Sequence, residues 1–388
     1  MNKVIYFDNA ATTKVDRNVI DVMISFMNDN YYNPSSLYRP SMFVRSAVSE
    51  ARQKVAKAIG ADKNEIYFTS GGTESDNMAI KGFAFANKKK GNHIITSSIE
   101  HPAVLNSVKA LEKEGFEVTY LSVDEKGFIN LDELKKSIKE STILVSIMFA
   151  NNEIGTIEPV EEIGKIAHEY GICFHTDAVQ AIGSLKIDVN KMNIDMLSLS
   201  GHKFYGPKGI GALYIKKGIR VNRINDGGSQ ENGKRSGTEN VPGIVGLGFA
   251  IEKAYLDYDD NVKKVRELRD YYIDRIMKEI PEVKLNGDRE NRLPGNANIS
   301  FKYVEGESIL LRLDAKGICV STGSACSSLS LEPSYVLLSI GLAHELAHGS
   351  IRVTIGKHNT KEEIDYLVES LKEVIGDLRK MSPLYEEV

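Results

Sequence analysis

The stretch Ser198-Leu199-Ser200-Gly201-His202-Lys203-Phe204-Tyr205-Gly206-Pro207-Lys208-Gly209 concentrates groups that can do chemistry. It follows a largely apolar run over 194–199 that reads as a buried strand, and glycines and a proline then break the chain. Lys203 is therefore expected on a loop at the carboxyl end of a strand, with a hydroxyl and an imidazole beside it. A lysine in a dry pocket loses part of its preference for the charged form and becomes a usable amine. Schiff-base chemistry with pyridoxal phosphate requires such an amine. Read alone, the same residue is equally a solvated loop cation.

Four more polar clusters stand where apolar runs end. Residues 65–70 lead into Gly71-Gly72-Thr73-Glu74-Ser75, where a helix is expected to begin. Glycines let backbone amides approach an anion, and a helix start adds positive potential. No Gly-Lys-Ser/Thr follows, so this is not a P-loop, and an ordinary capped turn has the same letters. Residues 142–150 end in Asn151-Asn152-Glu153, and residues 172–177 end in Asp177, with Gln180 close behind. An acid at the end of an apolar strand is costly unless it meets a cation, for which a protonated pyridine nitrogen would serve. His101, in Ile99-Glu100-His101-Pro102, adds a flat ring, although a lone histidine there is more often structural. Five such clusters at five strand ends point to a ligand site.

The three cysteines separate on physical grounds. Cys173 reads as inert core, and Cys319 again sits in a strand-like run. Cys326, in Ser321-Thr322-Gly323-Ser324-Ala325-Cys326-Ser327-Ser328, has no strongly apolar neighbour to bury it. A thiol on a polar loop is accessible and its thiolate can be nucleophilic, although read alone a surface thiol is also consistent with an incidental one.

Elements able to position these groups alternate along the chain. Strands are expected over 65–70, 93–98, 117–123, 142–150, 172–177, 194–200 and 211–215. Helices are expected over 16–28, 41–59, 76–87, 104–114, 131–139 and 160–170. This pattern predicts an α/β fold with a mostly parallel seven-stranded sheet covered on both faces, with ligands at the carboxyl ends of its strands. Beyond about residue 260 a charged helix over 262–280 leads into shorter strands at 283–285, 298–301, 318–321 and 351–355. Helices over 307–316, 333–340 and 361–381 accompany them, so a smaller α+β domain is expected. The predicted division is 14–260 for the large domain, with 1–13 and 261–388 forming the small one, which carries Cys326. The 388 residues suffice for two cores. Net charge is −4, which excludes a general attraction to nucleic acid. No apolar run approaches the roughly 20 residues that span a bilayer. No secretory signal is read at the N-terminus, and three cysteines suggest a reducing, cytoplasmic setting.

Taken in order, Asp8-Asn9-Ala10-Ala11-Thr12-Thr13, Thr73-Glu74-Ser75, Ile99-Glu100-His101, Asn151-Asn152-Glu153-Ile154-Gly155, Asp177-Ala178-Val179-Gln180, the Lys203 stretch, Arg235-Ser236-Gly237-Thr238 and the Cys326 stretch resemble the pyridoxal-phosphate-dependent cysteine desulfurases. The resemblance is to their group I, the iron–sulfur-assembly and nitrogen-fixation type within the class-V aminotransferases, and it covers nearly the whole chain. It implies the pyridoxal-phosphate fold type I, like aspartate aminotransferase, and a homodimer. It implies conversion of L-cysteine to L-alanine, with sulfur carried as a persulfide on Cys326 to an acceptor protein for iron–sulfur cluster assembly. By the same resemblance Lys203 anchors the cofactor, Asp177 pairs with its ring nitrogen, Gln180 donates to its phenolate oxygen and His101 stacks on it, with a share in proton transfer. Gly72, Thr73, Ser200 and His202 match the phosphate cradle, and Thr238 a phosphate ligand from the other subunit. Arg352 matches the guanidinium that holds the substrate carboxylate, assisted by Asn152, which also borders the cofactor. A transient iron–sulfur cluster held through Cys326 is a further expectation.

Other readings share the scaffold: sulfur supply for tRNA thiolation, selenocysteine lyase or cysteine-sulfinate desulfinase. A catalytically silent binding subunit would lack Lys203 or Cys326. His344-Glu345-Leu346-Ala347-His348 fits the helix-borne zinc motif of peptidases, but glycines close around it and no third ligand stands at the metzincin spacing. Tyr38, Asp226, Ser229 and Asn232 depart from residues common in the resembled family.

Overall fold

A computed structural model describes residues 4–322, 332–383 and 385; Cys326 lies outside the described residues. In chain order the elements begin with β1 (Ile5–Tyr6), α1 (Arg17–Asn28), α2 (Arg39–Ile59), β2 (Ile66–Thr69), α3 (Gly72–Asn77), α4 (Phe83–Asn87), β3 (His93–Ser97) and α5 (Pro102–Glu112). Then come β4 (Glu117–Leu121), α6 (Leu131–Ser137), β5 (Thr142–Ser146), α7 (Val160–Glu169), β6 (Cys173–Asp177), β7 (Met196–Ser200), β8 (Gly211–Ile215), α8 (Val241–Leu256) and α9 (Tyr258–Glu279). The remainder holds β9 (Val283–Asn286), β10 (Asn296–Phe301), α10 (Gly306–Ala315), β11 (Ile318–Cys319), β12 (Ser321–Thr322), α11 (Tyr335–Ser339), α12 (His344–His348), β13 (Ser350–Thr354) and α13 (Lys361–Met381).

The central sheet has seven strands in the order β2-β8-β7-β6-β5-β3-β4. Only β8 runs against its neighbours, so β2, β3, β5, β6 and β7 end at one edge. Strands β3, β5, β6, β7 and β8 are buried at every position, as a sheet covered on both faces requires. Two apolar clusters flank this sheet. A separate cluster joins Phe7 to Val265, Ile276, Phe301, Ile351 and Leu371 around the four-stranded sheet β12-β13-β10-β9. A fourth cluster packs Ile99, Met148 and Ile154 against Val336, Leu337 and Ile340. It ties α11 to the ends of the central strands.

The N-terminal arm crosses between these bodies. Ile5 and Tyr6 pair in parallel with Ile318 and Cys319, and Asp8 bridges to Thr354.

The expected helix over 76–87 starts earlier, at Gly72, and passes through a π-turn at Met78–Gly82 before α4. The expected strand over 318–321 is two strands serving different sheets: β11 joins β1, and β12 joins β13. The helix expected over 262–280 begins at Tyr258. Helix α8 has no counterpart in the sequence reading. Its glycines act as contact surface: a Cβ on Gly248 would stand 2.6 Å from Ala51 Cα, and one on Gly246 2.8 Å from Met23 Cγ. No helix among the described residues is long and apolar enough to cross a membrane.

Candidate active site

Lys203 ends a 3-10 turn that follows β7 directly. Tyr205, two residues on, holds φ +66°, a left-handed conformation that is strained for a bulky side chain. The turn is fixed by the N-terminal arm. Thr13 Oγ1 donates to the His202 carbonyl at 2.8 Å and accepts from the Tyr205 amide at 2.8 Å. Lys203 Nζ donates to the carbonyls of Ala10, at 2.5 Å, and Ala11, at 2.9 Å. Gln180 Nε2 donates to the same Ala10 carbonyl at 3.0 Å, which places it beside Lys203. Thr12 Oγ1 meets His202 Nδ1 at 3.1 Å. Burial, then Lys203 and Lys208, push His202 down to about 4, so it is neutral near pH 7.

The end of β2 lies next to this turn. Gly71 has φ +152°, and a Cβ on Gly72 would stand 2.7 Å from Val179 Cγ2 and 3.8 Å from Ser200 Cβ. Only glycine fits, and the backbone at the head of α3 stays open with Ser200 alongside. Thr73 follows, exposed, in the first turn of α3. Glu74 binds the Arg235 guanidinium at 3.0 Å, tying this turn to the segment that carries Thr238. Thr238 itself is exposed on its own chain.

Asp177 closes β6, and its Oδ1 accepts the Val179 amide at 2.9 Å. Burial raises its pKa, against the opposing pull of His101 and Lys203. A cation at this carboxylate would offset the desolvation. His101 caps α5: its Nδ1 accepts the Ala103 amide at 3.1 Å, so the neutral ring carries its proton on Nε2. Burial lowers its pKa, only partly countered by Asp177. The basic nitrogen of His101 is thus engaged by backbone, which leaves the lysine amine as the better proton acceptor.

Arg352, on β13, is 3% exposed. Its Nη2 donates to Asp8 Oδ1 at 2.9 Å and its Nη1 to the Asn152 carbonyl at 3.2 Å, while Nε has no partner. Arg352 faces Ser321 across the β12–β13 register. Ser321 and Thr322 immediately precede residues 323–331. On the far side of that segment Ser334 caps α11 and donates to the buried Glu153 carboxylate, next to Asn152. Burial pushes Glu153 up to about 7. Both flanks of the Cys326 segment therefore stand at the Asn152–Arg352 corner.

The other two cysteines differ from any nucleophile. Burial drives the Cys173 thiol well above its usual range, and burial with Asp314 and Asp8 raises Cys319. His344 and His348 lie on the five-residue α12 with rings 4.6 Å apart. Among the described residues, the one group of three metal-type ligands that comes together is Asp76, His101 and Asp177, so the zinc-peptidase motif assembles no site. Of the departures, Tyr38 and Asp226 are exposed, and Asn232 takes φ +55° beside Glu231, whose buried carboxylate pairs with Arg52. Sequence reading named Glu153 within a strand-end cluster without giving it a role, and it missed Asp76 and Ser334. An acid following an apolar run was the available signal only for Glu153.

The aminotransferase class-V family model matches residues 5–367. The chain belongs to the class-V aminotransferase family. Its relatives there include the cysteine desulfurase IscS of Clostridium botulinum (strain Hall), 58% identical over 389 residues, covering 100% of this chain and 98% of that protein. The cysteine desulfurase IscS of Dictyoglomus turgidum is 57% identical, with coverage of 100% and 98%. Among solved structures a NifS-like protein superposes with a TM-score of 0.91 at 40% identity, covering 97% of this chain and 100% of that one. A NifS-like protein from Rickettsia africae gives a TM-score of 0.87 at 32% identity, covering 96% and 100%. The chain is thus a class-V enzyme of the cysteine desulfurase group, with the type I fold and dependence on pyridoxal phosphate. The residues fit that cofactor: a buried carboxylate awaits a cation at Asp177, the Gly72 cradle admits no side chain, and an amine stands at Lys203.

Proposed function

We propose that this enzyme converts L-cysteine to L-alanine and carries the released sulfur as a persulfide on Cys326 to an acceptor protein. The observation that carries this reading is the meeting of the Lys203 turn, Asp177 and the Gly71–Gly72 cradle at one sheet edge, in a chain 58% identical to a cysteine desulfurase.

Bound there, pyridoxal phosphate supplies a carbonyl for an amine and an electron-withdrawing ring that stabilises charge at the amine's α-carbon. Lys203 would anchor it, and Asp177 would hold the positive ring nitrogen. Gly72, Thr73, Ser200 and His202 would hold the phosphate, and Gln180 would donate to the phenolate oxygen. His101 and Asn152 would border the ring. Arg352, with Asn152, receives the substrate carboxylate; its unpartnered Nε supports this role. Lys203 Nζ takes the proton from Cα and returns one to the product carbon. The Cys326 thiolate attacks the substrate sulfur, the Cβ–S bond breaks, and its electron pair stays with carbon. The sulfur–sulfur bond so formed leaves Cys326 as a persulfide, and protonation of the carbon gives alanine.

The domain division at residues 13 and 260 is supported by the separate apolar clusters. A homodimer is supported by apolar side chains exposed on α1 (Met27), on α2 (Met42 and Phe43) and on the segment between them (Tyr31 and Leu37). In it Thr238 would reach the partner's phosphate. The acceptor is taken to be an iron–sulfur scaffold, with tRNA thiolation as the competing route.

The test is Cys326→Ser, loaded with cofactor and given L-cysteine. The variant should keep the native absorption band and release no alanine. Alanine at the native rate would remove Cys326 from the reaction.

A further inference from the structure

Asp76 has no task in the reading above, yet it is 1% exposed and sits on the first turns of α3, directly at the cofactor pocket. One oxygen of Asp76, one of Asp177 and a ring nitrogen of His101 lie within 4.8 Å of one another. Asp76 Oδ1 has no hydrogen-bond partner and lies 3.8 Å from His175 Nε2. Ser198 stands near enough to oppose, in part, the upward push of burial and Asp177 on this carboxyl.

Behind it, His175 Nε2 meets Ser198 Oγ at 3.0 Å and His175 Nδ1 meets Ser146 Oγ at 2.9 Å. Burial pushes His175 down to about 3, so this ring supplies no positive charge to Asp76. The other titratable neighbours are Glu100, also buried, His101 and Asp177, and Lys203 acts on Asp177 in turn. No cation compensates Asp76 among these contacts. Two carboxylates this close in a dry site cannot both ionise.

Resting on the pyridoxal-phosphate reading, we propose that Asp76 is a positioning residue. It is a neutral carboxyl that keeps the one proton of the pair and so leaves Asp177 as the ionised partner of the cofactor's ring nitrogen. Burial and the Asp177 charge both raise the Asp76 pKa well above its ordinary value, which agrees. Without that neutral neighbour Asp177 is the more basic group, draws the proton from the ring nitrogen and makes the lysine-linked nitrogen more basic in turn.

The test compares native, Asp76→Asn and Asp76→Ala holoenzymes by two readouts that do not depend on turnover. Infrared spectra at neutral pH should show a protonated-carboxyl band in the native protein that Asp76→Asn lacks; identical bands would overturn the proposal. In absorption titrations, Asp76→Asn, which stays neutral and keeps a donor, should change colour at the native midpoint. Asp76→Ala should shift that midpoint upward by about one pH unit, a tenfold change. A native midpoint in Asp76→Ala, or equal shifts in both variants, would overturn it as well. If Asp76→Ala does not fold, the infrared comparison decides alone. Borohydride fixation of the cofactor on Lys203 in the native protein checks the underlying reading separately. Its failure there would sink the cofactor assignment whatever Asp76 does.

Discussion

Arg352 shows what a fork-shaped cation contributes that a simple charge does not. Two of its nitrogens are held by Asp8 and the Asn152 carbonyl, so the guanidinium is set before any substrate arrives. Arg352→Lys keeps the charge and loses the fork. A charge-assisted hydrogen bond contributes about 1.5–3 kcal/mol, so kcat/KM for cysteine should fall about 10- to 100-fold, mostly through KM. An unchanged KM would place the substrate carboxylate elsewhere. Glu100 is a second residue with a measurable signature. Its carboxyl accepts from Ser97 and the Met148 amide, and burial pushes it up to about 8 from an ordinary 4.5. Between those values the unfolded chain has lost a proton that the folded chain keeps. Stability therefore falls as pH rises from about 4.5 to about 8, by about 1.4 kcal/mol per unit at most. Glu100→Gln should flatten that decline in urea unfolding at pH 5, 7 and 9. Parallel curves for the two proteins would contradict it.

At the level of elements, the turn between β2 and α3 is set against the loop after β6. A Cβ on Gly72 meets Val179, whose amide holds Asp177. Gly72→Ala should displace both at once. Overpacking of this kind costs about 1–3 kcal/mol, so cofactor affinity should drop roughly 5- to 100-fold by equilibrium dialysis. Native affinity would show that the loop yields freely. The same elements show how far the amino-acid order can be read. Lys361–Met381 is a helix over the limits its periodicity implies, because one apolar stripe with no interruption leaves one solution. Helix α8 was illegible because Gly243, Gly246 and Gly248 look like breaks; Gly246 and Gly248 provide close approach to α1 and α2, and Gly243 leaves room for the capping side chain of Asn240. Lys203, Asp177 and His101 were legible as polar groups after apolar runs. The roles of Ala10 and Ala11 were not, since they act through carbonyl oxygens that any residue carries.

At the level of the whole molecule, the proposed dimer rests on exposed apolar side chains of α1, α2 and the segment between them. Leu37 is 93% exposed, with Tyr31, Met42 and Phe43 close in sequence. Exposed large apolar side chains in such number mark an interface. Sedimentation of the native protein should give about 86 kDa, twice the chain's 43.0 kDa. Leu37→Glu with Phe43→Glu should give the single-chain mass and lose cofactor, because Thr238 would then reach no partner. A monomeric native protein that binds cofactor tightly would remove both Thr238 and this face from the model of the site.

The arm that holds Lys203 and Arg352 has a consequence for how the protein is made. Asn9 Nδ2 binds the carbonyl of Thr354, 345 residues later, and Asp8 waits for Arg352. At a synthesis rate of about 5–20 residues per second, Asp8 and Asn9 stand without these partners for roughly 20 to 70 s. The central sheet and its lysine can form in that interval, but the arm that positions the lysine cannot yet close. The corner where Asp8 meets Arg352 thus closes only after residue 354 has been made, and a product cut before Arg352 never acquires it.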